Sequence, residues 1–226
     1  MGLRWRLVLL PALVLLFCAR VCAAADLTTA VQTYNRGELN RKKRDDAAAQ
    51  KQYAVAFKEF APQAAQGNAE AQLYLGKMYL LGQGVPANRE EAIKWLTASG
   101  DQSNADAQFF LGTIYLLPHK DIRQGLMWMR LSAEQGNQDA QLLVGQTYLQ
   151  GFKELPRDPV QADMWLRLAA RNNLPFYGLQ LTAGERQMSA ADIEKGKALA
   201  AAWKPKHGLR PATDASTGRA DLESRK

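Results

Sequence analysis

An alanine–glutamine pair returns three times along the chain in the same local setting, and this internal repeat constrains the fold more than any other feature. The shared frame is A-Q-x-x-[LV]-G-x-x-Y, beginning at Ala71, Ala107 and Ala140. A tryptophan follows each copy, at Trp95, Trp128 and Trp165. The segments Gly67 to Leu96, Ser103 to Met129 and Gly136 to Leu166 align on this frame. Each unit is expected to fold as two helices. In the first, Ala71, Leu75, Met78 and Tyr79 recur at i, i+4, i+7 and i+8 and share one face. Gly76 offers no side chain where a neighbouring helix can come close. The run Gly82-Gln83-Gly84-Val85-Pro86 reads as a turn. The second helix then carries Ala92, Trp95 and Leu96 inward, and Gly100 or Gly136 is expected to end it. A helix pair cannot bury both its faces alone. Stacked pairs can, which predicts an all-α class, an α/α solenoid of helix-pair repeats.

The flanks extend this pattern. Residues 26–66 read as a degenerate N-terminal repeat. Tyr53, Phe57, Phe60, Ala61 and Ala64 are expected in its second helix and Leu27 to Tyr34 in its first, with a charged insertion over 38–52 as a solvated helix or a loop. The repeat body with its cap covers 67–203. A short helix is expected through Tyr177 and Leu181. A final helix begins at Ser189 with Asp192 in a capping-box arrangement. Ile193, Leu199 and Trp203 are expected to lay its apolar side on the last repeat. Residues 204–226 have few apolar groups and are expected to be a disordered tail.

These units resemble Sel1-like repeats, relatives of the tetratricopeptide repeat. The resemblance rests on G-N-x-x-A-Q-x-x-L-G-x-x-Y, then G-x-G-V-P, then A-x-x-W, all present in the first unit. The second unit has Leu117-Pro118-His119 in place of the turn, and the third has Gln150-Gly151-Phe152 and a longer loop to Pro156. The stretch from Met188 to Trp203 resembles the capping helix of bacterial members. The resemblance implies three clear and up to five units and a role as a partner-binding scaffold, with function set by individual sites rather than by the fold.

The N-terminus reads as an export signal. Arg4 and Arg6 precede an apolar run from Leu7 to Phe17, and Cys22-Ala23-Ala24-Ala25 supplies small residues for cleavage after Ala25. Eleven apolar residues are too few to span a bilayer, which needs about 20. Residues 1–25 are therefore expected to be a signal peptide, with membrane contact only before cleavage. Phe17 before Cys18 does not fit a lipoprotein site. Cleavage would remove Arg4, Arg6 and Arg20 and no acid, lowering the net charge from +7 to +4. It would also remove Cys18 and Cys22, the only cysteines, leaving no disulfide and no thiol. The cysteine-rich members read as β-lactamase-like depend on paired cysteines that such a chain would lack. Together with the resemblance, this predicts a periplasmic location.

Catalytic patterns do not assemble. His119 and His207 are the only histidines, and neither has metal-ligand spacing around it. There is no G-x-S-x-G, and Gly82-Gln83-Gly84 lacks the context of a phosphate loop. No enzyme activity, cofactor or metal is expected. Glu90-Glu91 reads as favourable charge at a helix N-terminus, and the tryptophans read as core. The basic run Arg41-Lys42-Lys43-Arg44 reads as a solvated face. No nucleic-acid partner is expected, because a charge of +4 gives only a small phosphate term.

The expected partner is another protein. Between the frame residues, Tyr74 and Leu81, Phe110 and Leu117, and Leu143 and Gln150 stand seven apart on one stripe of each first helix. Five of these six are apolar, so the stripe reads either as an interaction surface or as core. Three roles are consistent with this: an envelope adaptor, an immunity protein that neutralises a periplasm-delivered toxin such as a phospholipase effector, or a peptidoglycan- or glycan-binding module using Tyr74 and Phe110.

Overall fold

The computed structural model describes residues 27–116, 121–152, 155–172 and 174–211. The signal segment with Ala25, the site candidate Leu117, His119 and the tail from 212 lie outside these residues. The described chain is helical: α1 (27–42), α2 (Asp46–Ala65), α3 (Ala69–Leu81), α4 (Arg89–Gly100), α5 (Ala105–Leu116), α6 (Ile122–Glu134), α7 (Gln138–Gln150), α8 (Pro159–Ala169), α9 (Pro175–Glu185) and α10 (Ala190–Ala202). It divides within α4 into two compact units, one ending at Trp95 and the other starting at Leu96.

The repeat frame acts through hydrogen bonds that recur in each copy. Asn68, Asn104 and Asn137 cap the first helices, their side-chain oxygens accepting from the N–H of Ala71, Ala107 and Ala140 at 2.9–3.0 Å. A cap of this kind contributes about 1 kcal/mol. The frame glutamines are buried, and each donates to the carbonyl eight residues back: Gln72 to Ala64, Gln108 to Gly100 and Gln141 to Ala133. This ties every first helix to the end of the helix before it. The turns inside the units differ in length, yet they close on one bond. The N–H groups of Asn88, Asp121 and Asp158 donate to the carbonyls of the frame tyrosines, Tyr79, Tyr115 and Tyr148. The same three residues then cap the second helices with their side chains. Glu90 and Glu91 sit in the first turn of α4, where a helix N-terminus favours negative charge.

In the first unit α2 packs on α3. Its core joins Tyr34, Tyr53, Phe60, Leu75 and Met78, with Trp95 packed against it. Here the structure corrects the sequence reading. The segment over 38–52 is not an insertion: α1 runs on to residue 42, and α2 starts at Asp46 after a tight turn through Arg44, whose φ is 61°. Asp45 caps α2 through the N–H of Ala48.

In the second unit α5 packs on α6, α6 on α7 and α7 on α8, the nearest-neighbour order of a solenoid. The frame glycines let each pair close. A Cβ on Gly112 would stand 3.0 Å from the Met129 backbone nitrogen, and one on Gly145 equally close to that of Leu166. Trp128 and Trp165 are core residues. The final helix α10 begins at Ser189, which caps it through the N–H of Asp192, and packs on α8. Its contact face is Gly196 and Ala200, continued by Trp203. Leu199, expected inward, is 41% exposed, because Gly196, Ala200 and Trp203 hold the seam and Leu199, one residue before Ala200, is turned about 100° away from it. Gly100 does not end α4 in the left-handed conformation either. Ser103 takes that position with φ 69°, where Gly67 and Gly136 stand in the other copies. Residues 204–211, expected to be disordered, lie against this unit, with Lys206, Leu209 and Arg210 hydrogen-bonded to it.

Candidate functional site

The first unit holds a cavity of about 580 Å³ between α1, α2 and α3. Helix α1 contributes Tyr34, Glu38 and Arg41, spaced four and three apart on one face. Helix α2 contributes Tyr53. Helix α3 contributes Tyr74, Lys77 and Leu81, again on one face, and the turn after it contributes Gln83. Two glycines make these placements possible. Gly37 leaves room for the Tyr53 ring, which a Cβ there would meet at 2.6 Å. Gly84, with φ 73°, lies so close to the backbone of Ala54 that a Cβ would collide with it. Gln50 fastens the same turn, accepting from the Gly84 N–H at 2.7 Å and donating to the Gly82 carbonyl at 3.3 Å. With both glycines held on α2, Gln83 between them is turned into the cavity.

A connected polar chain forms one wall. The Tyr53 hydroxyl donates to Glu38 Oε1 at 2.6 Å, and Gln83 Nε2 donates to the same oxygen at 2.9 Å. Arg41 donates to Glu38 Oε2 at 2.8 Å. The Tyr34 hydroxyl donates to Gln83 Oε1 at 2.9 Å. Burial works against ionisation of Glu38, but the bonds from Arg41, Tyr53 and Gln83 outweigh it and hold the carboxyl below its usual value. Burial and the neighbouring Glu38 push Tyr34 upward, and burial with the bond to Glu38 pushes Tyr53 up to about 12. Around neutral pH these tyrosines therefore stay protonated donors and Glu38 stays an ionised acceptor. Such a set fixes geometry and does not trade protons.

The other wall is aromatic. Tyr74 stacks on Phe60 at 4.6 Å between centroids and meets Tyr34 edge-on at 4.9 Å. The Lys77 ammonium stands 5.2 Å from the ring centroids of both Tyr34 and Tyr74, within cation–π range. Leu81, at the cavity mouth, is 57% exposed.

Of the residues named from the sequence, the structure brings Tyr74 and Leu81 together at this cavity. In the second unit Phe110 is half-buried with its ring edge-on to Phe109 at 5.5 Å. Leu143 is half-buried and packs on the core cluster, and Gln150 is exposed at the end of α7. Sequence reasoning missed Tyr34, Glu38, Tyr53, Lys77 and Gln83. The spacing of 34, 38 and 41 carried a signal, which treating 38–52 as an insertion concealed. Gln83 carried none, since its role depends on how the turn docks on α2. No group of three or more histidine, cysteine, aspartate or glutamate side chains is placed to hold a metal among the described residues.

The Sel1 repeat model matches residues 69–104, 105–137 and 138–174. A Sel1 repeat protein from Oxalobacter formigenes, solved by crystallography, is 29% identical with a TM-score of 0.50, the match covering 56% of this chain and 96% of that one. The crystal structure of c5321, a protective antigen of uropathogenic Escherichia coli strains displaying an SLR fold, is 27% identical with a TM-score of 0.38. That match covers 76% of this chain and 44% of that one. Among curated proteins none matches. The matched segments coincide with the frame read from the sequence and with the helix pairs of the structure: residues 69–174 of this chain are three consecutive Sel1 repeats.

Proposed function

We propose that the chain is an exported, periplasmic Sel1-repeat protein that works as a non-enzymatic scaffold in the cell envelope, holding a partner protein at the cavity between α1, α2 and α3. Sel1 repeats generally mediate protein–protein interaction. The observation that carries the reading is the cavity itself: a preformed concavity with a fixed polar wall, an aromatic wall and an exposed Leu81 at its mouth. A rigid recess of this kind suits a protruding side chain of a partner, because little ordering is required on binding. The export half of the reading is supported by the sequence of residues 1–25 alone.

Glycan binding is less well supported. Sugar stacking needs an open ring face, and Tyr74 has Phe60 stacked against it and Lys77 over its ring. An envelope adaptor and an immunity protein would both use the cavity and differ in the partner. The test is a quantitative affinity capture from the periplasm of the host, comparing the wild-type chain with Leu81→Glu. Leu81 is the better choice for substitution, since Tyr74 supports the aromatic cluster. Loss of a stoichiometric protein partner with unchanged melting supports the scaffold. A single tightly held toxin would identify the immunity role. Equal capture by both chains, or recovery of wall fragments alone, overturns the assignment. N-terminal sequencing of the same fraction should start at Asp26, and an intact Met1 would overturn export with cleavage.

A further inference from the structure

The segment after α10 does not leave the second unit; it runs back along it. Trp203 meets Trp165 edge-on at 6.4 Å between centroids, and the Arg171 guanidinium lies 5.4 Å from the Trp203 centroid. Further on, the Lys206 N–H donates to the Glu134 carbonyl at 2.8 Å. The Lys206 ammonium lies 2.9 Å from Glu134 Oε2, an ion pair rather than an aligned hydrogen bond. Gln108 Nε2 donates to the Leu209 carbonyl at 2.8 Å. Arg210 Nε donates to Ser103 Oγ at 3.3 Å. Burial raises the Asp101 carboxyl, and the charge of Arg210 opposes that rise.

Gln108 makes this strip a built site. Its side chain is fully buried, and its amide is oriented twice over. Gln135 donates to its oxygen at 2.8 Å, and its nitrogen already donates to the Gly100 carbonyl like the other frame glutamines. The remaining N–H is thereby aimed at the strip, where a backbone carbonyl meets it. Under a covering chain this donor would be left without an acceptor, which is unfavourable, so any segment lying on the strip has to present a carbonyl at this place. Asp101 and Glu134 flank it with negative charge. The segment that lies there contains Lys204, Lys206 and Arg210 and no acid. What is recognised is a main chain that bends at Gly208, whose φ is 70°, with a cation on each side of a central carbonyl, a pattern that asks for a glycine between the two cations.

We propose that the strip formed by Ser103, Gln108 and Glu134 is a docking track for a basic peptide bent at a glycine between its cations, and that residues 204–211 are its resident occupant, exchangeable for a partner segment of the same chemistry. This site is separate from the cavity of the first unit and does not depend on it. A tethered occupant competes at an effective concentration of about millimolar, so the tail sets a threshold that an incoming basic segment must exceed.

The test uses the full chain and a fluorescein-labelled peptide with the sequence of residues 203–211, followed by fluorescence polarisation. Lys206→Glu with Arg210→Glu weakens the resident segment through two side chains at the surface, leaving the core intact. The doubly substituted chain should bind the peptide about tenfold or more tightly than the wild type, because the track has been cleared. Adding Glu134→Lys to that chain should abolish the gain, and a peptide carrying Glu at the Lys206 and Arg210 positions should not bind. Hydrogen exchange at the Lys206 N–H, the amide bonded to the Glu134 carbonyl, reports separately on the resident segment. Protection in the wild type that the double substitution removes, with no peptide binding by either chain, would show a permanent strap and overturn the exchangeable track. Absence of protection in the wild type would overturn the occupancy itself. A gain that survives Glu134→Lys would place the peptide elsewhere and overturn the site.

Discussion

The two units use similar helices to different ends. In the first, α1, α2 and α3 leave a recess whose wall is a tyrosine–glutamate–glutamine chain fixed by short hydrogen bonds. In the second, α7 and α10 both pack closely on α8. Gly145 admits Leu166, Gly196 admits Asp163, and Trp165 is 1% exposed. The repeat frame accounts for most of the second case, since its glycines close each helix pair and its glutamines tie one pair to the next. The first case depends on α1, which precedes the matched repeats. Where the frame ends, the packing rule ends with it, and the polar groups that line the recess come from the flanking helices α1 and α2, from unframed positions of α3 and from the turn after it.

The largest expected effect breaks the closed unit. Trp165→Ala removes a buried indole from the cluster of Leu126, Met129 and Trp203, and should cost about 3–5 kcal/mol. Its repeat counterpart Trp95→Ala should cost clearly less, because Trp95 is only half-buried. Urea denaturation of both variants checks this, and equal losses would show that the two units are packed alike. Gly112→Leu comes next. Its side chain would enter the space held by Met129, 2.8–3.0 Å from where Cβ would stand. Overpacking of this kind costs about 1–3 kcal/mol. A melting temperature equal to wild type would contradict the register of α5 on α6.

In the open unit the corresponding break is polar. Tyr53→Phe keeps the ring against Gly37 and deletes the hydroxyl that donates to Glu38. A hydrogen bond to a charged group is worth about 1.5–3 kcal/mol, and Arg41 and Gln83 still serve the carboxylate, so a loss of about 1–2 kcal/mol is expected. The pH dependence distinguishes this from a packing effect. The folded Glu38 value lies below the ordinary 4.5, so the stabilisation is present in full above that ordinary value and fades as pH falls through the folded one. The gap between wild type and Tyr53→Phe should therefore narrow on acidification below pH 4.5 and stay constant from there to neutrality. A gap that persists at low pH would mean that Glu38 is not the partner that matters.

Much of this was legible in the sequence. The frame A-Q-x-x-[LV]-G-x-x-Y located the helix pairs, because its alanines and glycines are small for a geometric reason that recurs with each copy. Tyr74 and Leu81 stood out as residues the frame does not need, and both line the cavity. What stayed hidden depended on contacts distant in sequence. Glu38 and Gln83 are 45 residues apart, and their bond requires the turn after α3 to be seated on α2 by Gly84 and Gln50. No periodicity reports such seating. The segment 204–211 was read as disordered from its composition, and the reading failed because its order comes from the donor on Gln108 and the acid on Glu134, not from apolar burial of its own. Gln108 itself was counted as a frame residue, and its second bond is invisible in the frame.

The smallest expected effect compares one backbone position in the two units. Gly67 and Ser103 occupy equivalent places before the capping asparagines and share the left-handed conformation, at φ 91° and 69°. A Cβ on Gly67 would meet nothing within 4 Å, so Gly67→Ser costs the left-handed strain, about 1 kcal/mol, less the freedom the unfolded chain gives up. Ser103→Gly relieves the same strain. It also gives the unfolded chain more freedom, worth roughly 0.5–1 kcal/mol, and removes the hydroxyl that Arg210 reaches. The gain should therefore be smaller than the loss at Gly67 and close to zero. Adding Arg210→Ala separates the contributions: if the Arg210 bond opposes the gain, Ser103→Gly should be more favourable in the Arg210→Ala chain than in the wild type. Thermal melts of the four chains would show this as a coupling between the two sites. Additive effects would mean that Ser103 holds its conformation without help from the returning segment, and that the seating of residues 204–211 rests on Gln108 and Glu134.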